Sequence, residues 1–240
     1  MRSQEEITRI KSRFSEPYTI YGFLSDEEVK YLISIFRNNN QDKINGYEGK
    51  IKKNTGPITL GLEPFLDDPV IRKIFEKLKD HIGDFELNAG FFFETDYPHI
   101  IHNDDTFDLK DVYKGITIPL SLEGTFEEYP KLCFFDQCYF QGPAKFFAGD
   151  KNIPTYYNKQ LYEYSEVDGI TDTQFDKRVY DKLFTHLRYK WLSNLSLKTV
   201  LEWKPTTALI FDSVRLHCAS DFRRLGITSK LGISIFTRKL

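Results

Sequence analysis

The change in hydrophobic spacing along this chain constrains its fold more than any other feature. The first third carries helical spacing, and most of the remainder carries strand spacing. Ser25 followed by Glu28 forms a capping box. Val29, Leu32, Ile33 and Phe36 then fall at helical intervals, which predicts an amphipathic helix over 26–37. Asp68 and Pro69 open a second helix whose apolar face is Ile71, Ile74, Phe75, Leu78 and Ile82, with Gly83 as its stop. Phe85, Leu87, Ala89, Phe91 and Phe93 alternate as on a strand, although Phe92 breaks the polar face. Ile116, Ile118, Leu120 and Leu122 alternate across Gly115–Leu122. Residues 131–140, 207–212 and 230–238 are short aromatic or β-branched runs. A third helical pattern is expected from about Thr173 to Ser193, where Phe175, Val179, Leu183, Leu187 and Trp191 recur every four residues. Helices first, then many strands with a helical insertion, predict a mainly β fold. An antiparallel sandwich or cupin-like jelly roll with flanking N-terminal helices fits best.

Composition narrows the function class. The chain has 240 residues and no linker or repeat, so one domain over 1–240 is expected, with helical support over 1–84 and a jelly-roll core over 85–240 interrupted at about 141–195. Its 33 basic and 35 acidic side chains give a formal charge of −2, which excludes the basic footprint of a nucleic-acid binder. Three cysteines are too few for a disulfide scaffold, and Cys133 and Cys138 lack the second pair a zinc ribbon needs. No apolar run is long enough to span a membrane, and residues 1–14 have no signal-peptide core, so a cytoplasmic protein is expected. The 21 Phe, 14 Tyr and 2 Trp supply rings to line a cavity.

The chemistry concentrates in two segments. In 99–105, HIIHNDD, His102 and Asp104 are two residues apart and share a face if the segment is extended. An imidazole beside a carboxylate supplies two ligands of a 2-His-1-carboxylate site of the kind that holds non-haem iron. In 205–220, PTTALIFDSVRLHCAS, a buried strand and a short polar loop lead to His217, a candidate third ligand. Lys230 opens the apolar strand that follows, with Gly232, Ser234 and Phe236 on its face. A buried lysine is costly unless an anion meets it, so Lys230 is either the partner of a bound acid or solvated at the strand mouth. Gly232 is read as leaving room for a ligand.

These residues together, in this order, resemble the Fe(II)/2-oxoglutarate-dependent dioxygenase superfamily over roughly 90–240. The opening YGFLSDEEVKYLISIF (21–36) also resembles the entry helix of prolyl-hydroxylase and phytanoyl-hydroxylase types. The resemblance implies a double-stranded β-helix with the metal at one open end. It implies His102, Asp104 and His217 as iron ligands and Lys230 as partner of the distal carboxylate of 2-oxoglutarate; from the residues themselves, Ser234 is a candidate hydrogen-bond donor to the cosubstrate, and Tyr97, just before the metal segment, either reaches the cosubstrate or is a packed tyrosine. It implies Fe(II), 2-oxoglutarate and O2 as the working set, and hydroxylation or desaturation of an unactivated C–H bond, since the carboxylate ligand is present. The chain departs from the family by carrying Lys for the usual Arg and Ser234 two residues beyond the frequent serine position. Arg215, Arg223, Arg224 and Arg238 compete with Lys230. A small-molecule substrate is favoured over a peptidyl or prolyl one. The other readings are a non-catalytic metal-binding jelly roll and a cupin-type dioxygenase without 2-oxoglutarate.

Other residues have plainer expectations. His99, three before His102, faces away from the site if the segment is a strand. His186 is expected to be exposed. Cys218 reads as a small core filler. Residues 141–195, with Tyr156, Tyr157, Tyr162 and Tyr164, read either as a lid on a helical support or as a peripheral decoration.

Overall fold

The computed structural model describes residues 2–40, 58–105, 111–146, 159–161, 167–171 and 173–240. Three helices precede the barrel strands: α1 (Gln4–Lys11), α2 (Asp26–Asn39) and α3 (Pro69–Ile82). Each starts on a side chain that accepts from its first-turn amides: Ser3, Ser25 and Asp68. The sequence pattern located α2 and α3 but not α1, whose eight residues carry little apolar spacing. Short strands β1 (Tyr18–Ile20) and β2 (Ile58–Gly61) flank them. Next come β3 (Phe85–Thr95), β4 (Val112–Gly124), β5 (Lys131–Cys138), β6 (Ala144–Phe146) and β7 (Lys159–Leu161). Helix α4 (Lys177–Leu183) is followed by β8 (Leu197–Glu202), β9 (Ala208–Asp212), β10 (Arg215–Ala219) and β11 (Ile227–Lys239).

The strands form two facing sheets. The larger has the order β1-β9-β4-β11-β3-β2, and the smaller β10-β5-β8. His102 bridges the free side of β10 at His217 and bridges β6 at Lys145, so the metal-strand segment and β6 continue the smaller sheet. The interleaved strand order of the two sheets is that of a double-stranded β-helix, as the resemblance implied. Among the described residues no helix is long and apolar enough to cross a membrane.

Alternation places three layers of core. Leu132 and Phe134 of β5 point between the sheets with Trp203, Leu209 and Phe211. Cys133 and Phe135 point outward, into a cluster with Phe175, Phe184, Leu187, Leu216 and Cys218. The outer face of the larger sheet is covered by α2 and α3 through Leu32, Phe36, Ile71, Ile74 and Leu78, which meet Ile116, Ile118, Ile233 and Ile235. Residues on this last face are nearly all below a tenth exposed.

Three sequence expectations need correction. The alternation of β3 changes face because Phe236 pairs with Ala89 while Thr237 pairs with Leu87, leaving Asn88 as an extra residue. Such a bulge swaps the inward and outward sets beyond it. Phe85 and Leu87 therefore share the helix-covered core with Phe92, whereas Phe93 turns between the sheets. A second irregularity, where Leu231 pairs with Ser121 but Gly232 pairs with Pro119, sends Leu122 away from the face of Ile116, Ile118 and Leu120. The helix over 173–193 is only α4 plus a 3-10 turn at Tyr189–Trp191. A strict spacing of four drifts about 40° per step from the 3.6-residue turn, about 160° between Phe175 and Trp191. No straight helix could bury both, and the chain turns at Phe184 instead. Tyr156, Tyr157, Tyr162 and Tyr164 lie outside the described residues.

Candidate metal centre

Extended backbone at 102–105 sorts four consecutive side chains into two sets. His102 and Asp104 point between the sheets. Asn103 and Asp105 point the other way and are buried. Asn103 donates to the carbonyls of Tyr139 (3.0 Å) and Gly142 (3.1 Å) and accepts from the Ala144 amide (2.7 Å). The Asp105 carboxylate takes both guanidinium nitrogens of Arg2, one at 2.8 Å, and Arg2 also donates to the Phe140 carbonyl at 2.7 Å. These contacts tie 103–105 to the segment 139–144 and to Arg2, just ahead of the Ser3 cap of α1. The sequence reading missed Asn103, Asp105 and Arg2. Only the alternation, which sends residues 103 and 105 to the buried side opposite the ligands, signals them.

His217 arrives by a different route. The sequence placed it beyond a strand and a short polar loop, and it sits there within β10, paired with Phe134 of β5. A register shift between Arg215 and His217 separates it from the preceding turn. Its backbone amide and carbonyl close a two-way pair with His102 (2.8 and 3.0 Å), which sets the two rings side by side with centroids 4.3 Å apart.

One ligand atom from each of His102, Asp104 and His217 lies within 4.8 Å of the other two. The Nε2 of His102 stands 3.4 Å from Asp104 Oδ1, and the Nε2 of His217 stands 3.5 Å from Asp104 Oδ2. Both Nδ1 atoms are spoken for by carbonyls two residues back, Ile100 at 2.8 Å and Arg215 at 3.0 Å. A carbonyl can only accept, so each Nδ1 carries the proton and each Nε2 presents a lone pair towards the carboxylate. Burial, reinforced by the His102 charge, pushes the His217 imidazole down to about 4, so it is neutral near pH 7. Burial opposes the Asp104 charge, yet His217 and His102 outweigh it and hold the carboxyl below its usual range. Two imidazoles and one carboxylate on one side of a point can hold a divalent cation and leave its far side open.

Gly115 of β4 makes this approach possible. A Cβ there would stand 2.6 Å from the Phe211 ring and 3.3 Å from Asp104 Oδ2. Phe211 and Phe134 back His217, at ring distances of 4.7 and 5.6 Å.

Lys230 lies on β11, buried at 6% exposure between Trp203 (4.9 Å) and Phe222 (5.4 Å). No carboxylate among the described residues pairs with it, and burial pushes its ammonium down to about 8. Trp203 Nε1 is also buried without a hydrogen-bond partner. Gly232 does not open space for a ligand as expected. A Cβ there would meet Trp203 Cζ2 at 2.9 Å, so the space belongs to the indole. Three of the four competing arginines are engaged elsewhere: Arg215 reaches the Phe135 carbonyl and Asp212, Arg223 the Asp96 carbonyl, and Arg224 the Asp181 carbonyl.

Ser234 is half-buried on β11, paired with Phe91 and Thr117. Tyr97 is 48% exposed beneath the Arg223 guanidinium. His99 does not face away: its ring stands edge-on to His102 at 4.2 Å, because residues 97–100 lie outside any strand and period two does not apply. His186 is half-buried rather than exposed, and burial pushes it down to about 4.

No family model and no curated protein matches the chain. Solved structures do match over nearly its whole length. The non-heme α-ketoglutarate-dependent epimerase SnoN from nogalamycin biosynthesis is 11% identical, with a TM-score of 0.49 over 99% of this chain and 84% of that one. HygX from Streptomyces hygroscopicus with nickel and 2-oxoglutarate bound is 14% identical, with a TM-score of 0.47 over 99% and 87%. A Pseudomonas putida prolyl-4-hydroxylase is 11% identical, with a TM-score of 0.44 over 98% of each chain. The strand order and the triad, both read from this chain itself, are those that its resemblance to the Fe(II)/2-oxoglutarate-dependent dioxygenases implied.

Proposed function

We propose that the protein is a non-haem Fe(II)- and 2-oxoglutarate-dependent oxygenase that hydroxylates an unactivated C–H bond of a small molecule. The observation that carries this reading is the convergence of His102, Asp104 and His217 with both Nε2 lone pairs turned to one carboxylate. The donor set fits ferrous iron, with neutral nitrogen and anionic oxygen ligands. Lys230, a buried cation with no carboxylate beside it among the described residues, and Trp203 Nε1, a buried donor with no hydrogen-bond partner among them, fit the distal carboxylate of the cosubstrate. Bound iron and 2-oxoglutarate supply O2 activation and oxidative decarboxylation.

The chain's own part is positioning. The Nδ1 contacts fix both imidazole rings, and the His102–His217 backbone pair fixes their separation. Asn103 and the Arg2–Asp105 pair hold the extended backbone that aims Asp104. Phe134 and Phe211 exclude water on the inner side. Ser234 and Tyr97 remain candidate cosubstrate residues. The domain reading goes with this: one oxygenase domain over 1–240, helical support to residue 84 and a barrel from 85 interrupted at about 141–195.

Aerobic incubation with Fe(II), ascorbate and 2-oxoglutarate tests the proposal through succinate release without added substrate. Slow succinate formation is expected in the wild type and none in Asp104→Ala or His217→Ala. Tight iron binding with no 2-oxoglutarate consumption would overturn it and favour a non-catalytic metal-binding jelly roll.

A further inference from the structure

The turn between β9 and β10 is held from two sides. On one side it carries metal ligands. The Ser213 carbonyl accepts from the Asp104 amide at 2.8 Å, and the Arg215 carbonyl accepts from His217 Nδ1 at 3.0 Å. On the other side lies the segment from Arg2 to Ser15. The Ser15 amide donates to Asp212 at 3.3 Å, and the Arg215 guanidinium stands 5.5 Å over the Phe14 ring. Ile10 is buried in one cluster with Val214 and Phe140, and Ile7 and Phe14 pack against it. At its start the same segment reaches the ligand strand itself, where Arg2 holds Asp105, the residue after Asp104.

These contacts are not equal. Arg9 and Lys11 pair with Asp111 and Asp168 at 2.9 Å each, but all four side chains are exposed, and such pairs are worth little. The Arg2–Asp105 pair and the cluster around Ile10 and Val214 are buried, so they carry the docking. Groups behind metal ligands set the orientation of those ligands and, through it, the affinity for the metal. Two of the three ligands here are oriented through groups that the segment 2–15 holds.

We propose that residues 2–15 are a strap that sets the metal affinity of the centre, with Arg2 and Phe14 as positioning residues for Asp104 and His217. Arg2 acts through Asp105, and Phe14 acts through Arg215. The inference rests on the metal-centre reading and deepens it by naming what regulates the site. Docking of the strap and binding of the metal favour each other, and the coupling is reciprocal.

Co(II) serves as the probe, read by calorimetric titration and by its visible d–d bands, which report ligand geometry. At a temperature where circular dichroism shows each variant folded, Arg2→Met should weaken Co(II) binding by about tenfold or more. Phe14→Ala should weaken it by a smaller factor, and both should alter the d–d bands. Arg2→Lys should recover part of the loss. Leu32→Ala, in the helix-covered core, controls for general destabilisation and should leave affinity and bands unchanged. One readout needs no variant: in the wild type, Co(II) should slow tryptic cleavage after Arg9 and Lys11, which requires the strap to open locally. Unchanged Co(II) affinity and bands in Arg2→Met and Phe14→Ala, losses no larger than in Leu32→Ala, or strap cleavage indifferent to bound Co(II) overturn the proposal. A wild type that binds no Co(II) sinks the metal-centre reading instead, so the two failures are distinct.

Discussion

Lys114 and Lys230 are two buried lysines of one sheet, on the adjacent strands β4 and β11, and they differ in everything but burial. Lys114 donates to the Asp212 carboxylate, to Ser15 Oγ at 2.8 Å and to the Arg13 carbonyl at 3.2 Å. Its charge is used up inside the fold, where it ties the segment after α1 to β4 and β9. Lys230 has aromatic rings around it and, among the described residues, no carboxylate. A cation–π contact repays part of the desolvation cost and leaves the rest unmet. The difference teaches where to look for a ligand. A buried charge with a full set of partners serves the fold, and one without them marks a place where something else must bind.

The comparison can be broken hardest from the Lys114 side. Asp212→Ala leaves the Lys114 ammonium and the Arg215 guanidinium buried without the carboxylate they share, and should cost about 3–5 kcal/mol of stability in urea unfolding. Lys230→Met should do the opposite. The fall of the Lys230 ammonium from 10.5 to about 8 corresponds to roughly 3 kcal/mol held against folding at pH 7. The variant should therefore be more stable than the wild type in the absence of cosubstrate, by up to that amount. Because the folded-state value is the lower one, this cost is fully present below about pH 8 and is relieved as pH rises towards 10.5. The stability gap should narrow over that window. A variant less stable than the wild type at pH 7 would mean that Lys230 has a structural role like that of Lys114.

Cosubstrate binding sharpens the same contrast. Affinity for 2-oxoglutarate, measured anaerobically by calorimetry, should fall about 30-fold or more in Lys230→Met, since one member of a buried charge pair is lost. Affinity of the wild type should also decline above about pH 8 as the free-protein ammonium deprotonates. Trp203→Phe deletes the Nε1 donor together with the Cζ2 edge of the indole that fills the space over Gly232. A loss of about three- to tenfold in affinity is expected, along with a lower unfolding midpoint because the smaller ring leaves part of a buried site empty. Unchanged affinity would remove Trp203 from the cosubstrate site.

Much of this was legible in the sequence, and what was not has specific physical reasons. Spacing alone offered His102 and Asp104, two apart and so on one face of an extended segment, with His217 as a candidate third member; the set of three came from the resemblance, and the structure brings all three together. Lys230 could be read because a lysine on an apolar strand demands an explanation. The bulges at Asn88 and near Leu120 were invisible, since an extra residue leaves no mark on composition but exchanges the faces of Phe92, Phe93 and Leu122. The role of Gly232 was misread because its neighbour Trp203 is 29 positions away and meets it only through the facing sheet. Asn103, Asp105 and Arg2 were overlooked for the same reason: their partners at 139–144 come from a distant segment.

The most direct test of the triad and Lys230 together is an anaerobic titration of the protein with Fe(II) and then 2-oxoglutarate, followed by visible absorption. A chelated 2-oxo acid on ferrous iron gives a weak metal-to-ligand charge-transfer band. The account predicts that band in the wild type, its loss in His217→Ala, and a shift to much higher 2-oxoglutarate concentrations in Lys230→Met. Iron bound by the wild-type protein with no band at saturating 2-oxoglutarate would contradict it.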